Sequence, residues 1–136
     1  MKTPILWIEI PVADLDRAIK FYENLSNTSL ELRTLFDTKM ALFNKEVFGI
    51  KASLVQKEDF MANDGIKPII FIDIMAEAIE KVRLFGGKIM KEPALLRQKN
   101  KDGAIIIGTN LIDGQVGYYS EIQDSEGNHL YLYSHS

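Results

Sequence analysis

The chain contains no cysteine, which removes a disulfide framework, a thiolate nucleophile and any cysteine metal site. Histidine is nearly absent too: the two present are His129 and His135. His135 is the penultimate residue and reads as part of a disordered tail rather than as a ligand. An excess of positive charge is missing as well. Sixteen basic side chains face nineteen acidic ones, a net charge of -3, and the lysines are scattered. Binding to nucleic acid needs a clustered positive field, so no nucleic-acid partner is expected. No apolar run approaches membrane-spanning length, and Met1-Lys2-Thr3-Pro4 lacks the apolar core of a signal peptide. A soluble cytoplasmic protein without a membrane partner is expected. Nor is there a Ser-His-Asp arrangement, a nucleotide fingerprint or a phosphate loop.

What the chain does have is ordinary globular composition, 46% apolar and 26% charged over 136 residues, enough for one domain with a real core. It also has one pattern twice. Val12-Ala13-Asp14-Leu15-Asp16-Arg17-Ala18-Ile19-Lys20 realigns, sixty residues on, with Ile72-Asp73-Ile74-Met75-Ala76-Glu77-Ala78-Ile79-Glu80. Leu15, Ala18, Ile19, Tyr22 and Leu25 fall on Met75, Ala78, Ile79, Val82 and Phe85. Both sets follow the i, i+3, i+4, i+7 spacing of a helix with one buried stripe. A short isoleucine-rich run precedes each, Leu6–Val12 and Pro68–Ile74, so the unit is strand then helix. Two copies of one module predict a pseudo-symmetric body with the functional site between its halves.

The first module, residues 1–56, is expected to run as strand Ile5–Val12, helix Leu15–Leu25 capped by Asp14 and closed at Ser26-Asn27, then strands Leu30–Leu35, Thr38–Phe43 and Ile50–Gln56. Residues 57–66 read as a polar linker. The second module, residues 67–136, repeats strand Lys67–Ile74 and helix Met75–Phe85, with Gly86-Gly87 as its C-terminal stop. Strand Lys88–Glu92 follows and ends before Pro93. Ala104–Thr109 is a further candidate strand. Val116–Gln123 and His129–Ser134 form a hairpin around Asp124-Ser125-Glu126-Gly127-Asn128.

Ile8-Glu9-Ile10-Pro11-Val12-Ala13-Asp14-Leu15-Asp16-Arg17-Ala18-Ile19-Lys20-Phe21-Tyr22 resembles the opening of the vicinal oxygen chelate superfamily. That superfamily includes glyoxalase I, bleomycin-resistance and fosfomycin-resistance proteins, and extradiol dioxygenases. The ending Asp124-Ser125-Glu126-Gly127-Asn128-His129-Leu130-Tyr131-Leu132 is similar to its closing Asp-Pro-x-Gly-Asn-x-x-Glu-Leu hairpin, with Ser125 in place of proline. The resemblance implies an α+β fold of two pseudo-symmetric βαβββ modules, curled into an eight-stranded cup around a ligand cavity. It also implies a homodimer.

The family's metal sits in that cup on His, Glu or Gln ligands. Carried over by position, the ligand places hold Trp7, Lys67 and Tyr131, and the last strand of module one, Ala52-Ser53-Leu54-Val55, offers no carboxylate or imidazole. An indole, an ammonium and a phenol do not replace such ligands. No metal and no cofactor are therefore expected.

If those positions point inward, strand alternation gives the rest of the wall. Trp7, Glu9 and Pro11 share one face. Lys67, Ile69 and Phe71 share another, and His129, Tyr131 and Tyr133 a third. Glu121 has no fixed parity, because Tyr118-Tyr119 is ambiguous. Trp7 and Tyr131 read either as ligand contacts or as filler for the space of a lost metal. Glu9 reads either as a base of raised pKa or as the salt-bridge partner of Lys67, and the salt bridge is preferred. The function expected is binding of a small organic molecule in the cup without metal. The alternative is a metal-free lyase or isomerase acting on a small carbonyl compound with Glu9 as base. Metal-dependent glyoxalase or dioxygenase chemistry comes last.

Overall fold

The computed structural model describes residues 7–35, 37–62, 66–99, 105–106 and 109–136. The first module contains β1 (Ile8–Val12), α1 (Leu15–Ser26), β2 (Glu31–Leu35), β3 (Thr38–Leu42), the single turn α2 (Lys45–Phe48) and β4 (Ala52–Gln56). The second contains β5 (Ile69–Phe71), α3 (Met75–Leu84), β6 (Lys88–Leu95), β7 (Gln98–Lys99), β8 (Ile105–Ile106), β9 (Tyr118–Gln123) and β10 (His129–Ser134). The fold is α+β, built of two βαβββ modules.

α1 begins and ends where its sequence dictates. The Asp14 carboxylate accepts the Arg17 amide, and Asn27 closes the helix in the left-handed conformation at φ 54°. α3 stops at Gly86, φ 93°, after which the Gly87 amide donates to the Val82 carbonyl at 2.7 Å. A side chain at Gly87 would lie 2.6 Å from Phe21 and 2.7 Å from the Gln123 carbonyl, so only glycine fits between helix and sheet. Ile74 brings no capping side chain to α3; the Ser136 backbone oxygen accepts the Met75 amide instead.

Each module forms its own four-stranded sheet, in the orders β1-β4-β3-β2 and β5-β10-β9-β6. β1 lies parallel to β4 and β5 parallel to β10; the other pairs are antiparallel. Of the candidate strand Ala104–Thr109, Ile105–Ile106 pairs with β7 in a separate ribbon, Thr109 is not in a strand, and residues 104, 107 and 108 lie outside the described residues. β6 runs through Pro93 rather than stopping at Glu92. It is an edge strand with two register shifts, where a missing N–H costs no ladder bond. β5 is shorter than expected, and Lys67 precedes it.

Val12, Leu54, Ile72, Ile122, Leu130 and Leu132 from both sheets join Phe21, Tyr22, Ala78 and Val82 from both helices in one buried cluster. α1 and α3 also pack against each other. The helices therefore lie between the two sheets, and each sheet turns one face to this shared core and the other away from it. None of the helices described is long and apolar enough to cross a membrane.

The β9–β10 turn clamps the modules together. Tyr22 Oη donates to Asp124 Oδ2 at 2.6 Å, and Asn128 Nδ2 donates to the Pro11 carbonyl at 2.8 Å. Glu126 Oε1 accepts the Ala13 and Asp14 amides at 3.0 and 2.8 Å, and the Arg17 guanidinium binds both Glu126 oxygens. Burial raises the Asp124 carboxyl above its ordinary value even though Tyr22 and Asn128 hydrogen-bond to it. Burial beside Asp124 pushes the Tyr22 phenol well up.

Candidate functional site

Strand parity follows the expected alternation. Ile8, Ile10 and Val12 face the core, leaving Trp7, Glu9 and Pro11 on the outer face of the first sheet. Leu130 and Leu132 are core, so His129 and Tyr131 face out from the second sheet. The structure also fixes Glu121. It pairs in register with Tyr131, while its neighbours Ser120 and Ile122 are fully buried on the helix side. Sequence alone could not choose, because tyrosine at 118 and 119 suits either face.

The outer face of the second sheet gathers one group of predicted residues. Lys67 Nζ lies 3.4 Å from Glu121 Oε2, and His129 Nδ1 lies 3.7 Å from the same oxygen. Gln123 and His129 meet through their side-chain nitrogens at 3.0 Å. The Lys67 ammonium lies 5.9 Å from the centre of the Tyr131 ring. Tyr119 stands beside Tyr131 with ring centres 6.4 Å apart, and Lys91 Nζ lies 5.0 Å from the Tyr119 ring centre. Tyr119 and Lys91 were not foreseen. The signal that finds them is register: Tyr119 opposes Tyr133, and Lys91 opposes Glu121. Ile69 and Phe71 extend the patch along β5 and are half exposed, at 50% and 55%.

Trp7 and Glu9 do not join them within one chain. Trp7 Nε1 donates to Ser53 Oγ at 3.0 Å, on the first sheet. Glu9 pairs in register with Ser53 and is exposed. The expected Glu9–Lys67 salt bridge is thus replaced by Lys67–Glu121, because the sheets turn these faces away from each other across the shared core.

Tyr133 and His135 also depart from expectation. Tyr133 is fully buried; its hydroxyl donates to Asp113 Oδ1 and accepts from Asn110 Nδ2, both at 2.8 Å. His135 is no loose tail. Its Nε2 meets Asp113 Oδ2 at 2.7 Å and its ring packs edge-on against Phe71. Burial pushes the Asp113 carboxyl up, but the hydrogen bonds from Tyr133 and His135 outweigh it and hold the group below its usual value.

A further cavity lies elsewhere. A groove of about 560 Å³ runs between the two modules on the helix side. Ile8, Ile10, Phe43, Ile70 and Ile72 line it, with Asn27, Glu77 and Lys81 at its polar end. It opens beside β1 and β5, whose outer edges are unpaired among the described residues.

A metal has little to hold it at the family positions. The Trp7 indole is a donor already engaged with Ser53, and Lys67 is an ammonium against Glu121. Glu121, Gln123 and His129 are groups on the second sheet's outer face able to ligate, and among the described residues no three His, Cys, Asp or Glu side chains form a metal-binding group. Trp7, Lys67 and Tyr131 themselves offer no imidazole, carboxylate or amide donor.

The paired-module fold is one that solved structures share. A glyoxalase/bleomycin resistance protein from Albidiferax ferrireducens superposes with a TM-score of 0.65 at 12% identity, covering 98% of this chain and 100% of that one. A genomically encoded fosfomycin resistance protein from Listeria monocytogenes gives 0.64 at 16% identity, covering 100% and 94%. A glyoxalase I variant from Zea mays gives 0.63 at 20% identity, covering 97% of this chain and 47% of that longer one. No protein-family model matches the sequence, and no curated protein sequence matches it. The likeness is one of fold.

Proposed function

We propose that this protein binds a small organic molecule, without a resident metal, in a cup that two copies of the chain complete together. The observation that carries this reading is the outer face of the second sheet. There Lys67, Glu121, His129 and Tyr131 converge with Tyr119 on one partly exposed patch, combining aromatic surface with a few placed polar groups. Trp7 and Glu9, the matching positions of the first module, face away in the same chain. A two-fold homodimer supplies them from the second copy. The unpaired edges of β1 and β5, the groove between them, and half-exposed Ile69 and Phe71 are the surface on which that copy docks.

A lyase or isomerase using Glu9 has less support. Its carboxylate is exposed in the chain, with none of the dry surroundings that would tune a base. The names of the relatives, a fosfomycin resistance protein and glyoxalases, favour the family's small-molecule repertoire without choosing a member of it.

The test is a thermal-shift screen of metabolites and drugs, with and without divalent metals, followed by amide-shift mapping of each hit. Hits that raise the melting temperature equally with chelator present, and that move Tyr131 and Glu121, support the proposal. Hits that move Leu25 and Ile72 instead would transfer the site to the groove. A stoichiometric, chelator-removable ion at Trp7, Lys67 and Tyr131 would overturn the metal-free reading. Sedimentation as a monomer at micromolar concentration would overturn the shared cup.

A further inference from the structure

The outer face of the second sheet is cationic in a chain that is acidic overall. Register puts Lys88 opposite Gln123 and Lys91 opposite Glu121, so both lysines share the face with Lys67 and His129. Against these three ammonium groups, Glu121 is the one carboxylate in the middle of the face among the described residues. Asp113 stands at the far end, committed to Tyr133 and His135. The outer face of the first sheet carries Glu9 and the ion pair of Glu31 with Arg33. Within the chain, then, three ammonium groups face two carboxylates, Glu121 and Asp113, among the described residues. If the second copy brings its groups across, Glu9 offsets that one net charge, and the positive field stays local to Lys67 and Lys91.

That field is arranged around two rings. Tyr119 and Tyr131 stand side by side, tilted by 46°, with an ammonium flanking each: Lys91 at 5.0 Å and Lys67 at 5.9 Å from the ring centres. Hydrogen bonding to Tyr119 holds the Lys91 ammonium above its ordinary value, so the cation persists at any physiological pH. Half-exposed Phe71 continues the aromatic wall.

We infer that the ligand of this face is a small aromatic carboxylate, its anionic group held between Lys67 and Lys91 and its ring against Tyr119 and Tyr131. The inference rests on the small-molecule reading above and deepens it: an ammonium beside each ring selects an anion, and paired rings select a planar body. A cationic guest, by contrast, would have to enter beside three ammonium groups.

Three isosteric probes decide it: benzoate, benzamide and benzylammonium, titrated into the full-length protein while the amide signals of Tyr119, Glu121 and Tyr131 are followed. Benzoate is expected to bind about tenfold more tightly than benzamide, a difference of ~1.4 kcal/mol, and benzylammonium not to bind. Raising salt should erase most of that preference. Lys91→Gln and Lys67→Gln should each cut benzoate affinity severalfold and leave benzamide unchanged. Equal binding of benzoate and benzamide, or stronger binding of benzylammonium, would overturn the charge inference while leaving the site standing. Shifts confined to residues outside the face, or no shift with any probe at tens of millimolar, would overturn the site as well.

Discussion

Replacing Glu126 should be far more damaging than its place in a surface turn suggests. Its side chain is fully buried, and Oε1 accepts two backbone amides of the first module, Ala13 at 3.0 Å and Asp14 at 2.8 Å. Glu126→Ala leaves both without that acceptor at the start of α1. A buried group stripped of its partner costs about 1–3 kcal/mol. Ala13 and Asp14 are exposed residues whose amides water can partly reach, so the pair puts the loss near the low end, about 2 kcal/mol. The Arg17 guanidinium adds little to that figure because it is half exposed, at 51%, and solvent screens the pair. For a chain of this size each kcal/mol moves the midpoint by about 3–5 °C, so the melting temperature should fall by roughly 6–10 °C. Glu126→Gln keeps an acceptor and loses only the charge, so about a third of that drop is expected.

The pH dependence has a definite sign. Burial pushes the Glu126 carboxyl up, but hydrogen bonds from Arg17, the Asp14 amide and Ser125 outweigh it and hold the group below its ordinary value. A depressed carboxyl contributes stability that is full above its unfolded pKa of about 4.5 and is lost as pH falls through the folded value. Asp124 is raised, so its contribution runs the other way and fades as pH rises. Melting curves of wild type and Glu126→Gln between pH 7 and pH 3 should therefore converge at the acid end. A Glu126→Ala variant melting within 2 °C of wild type at pH 7 would refute the clamp.

Three other outcomes follow from the packing. Gly87→Ala should lower stability by about 1–3 kcal/mol in denaturant melts, since the new methyl meets Phe21 and the Gln123 carbonyl at under 3 Å. Tyr22→Phe should cost about 1–2 kcal/mol by leaving buried Asp124 one donor short, and calorimetry would read it. His135→Ala should speed amide exchange across residues 110–115, because the Asp113–His135 contact adds to the two bonds by which Tyr133 holds Asn110 and Asp113; unchanged protection there would show that Tyr133 suffices.

The parts of this fold legible in the sequence are those set by local chemistry. α1 was readable from Asp14, Asn27 and the stripe of Leu15, Ala18, Tyr22 and Leu25. The alternation of β1 and β10 gave the outward faces correctly. Where tertiary context decides, the reading ran out. Pro93 looked like a strand end, but an edge strand tolerates it. His135 looked loose because its partner, Asp113, lies 22 residues away in an irregular loop. Glu9 and Lys67 looked like neighbours because a duplicated sequence suggests one enclosed space. Nothing in a repeat reveals whether its helices will lie outside the sheets or between them, and here α1 packs on α3. Glu126 was missed for a different reason: glutamate in a Gly-Asn turn is ordinarily solvated, and only the docking of that turn on α1 buries it.

The clamp between Glu126 and the start of α1 also sets a schedule. Its hydrogen bonds join residues 112 and 113 positions apart. At a synthesis rate of roughly 5–20 residues per second, the Ala13 and Asp14 amides wait on the order of 6–20 seconds after they are made before their acceptor exists. Until then the first module holds its sheet and its amphipathic helix with one side of that helix unsheltered. The first module is thus the one at risk on the ribosome, and its completion is timed by a turn made more than a hundred residues later.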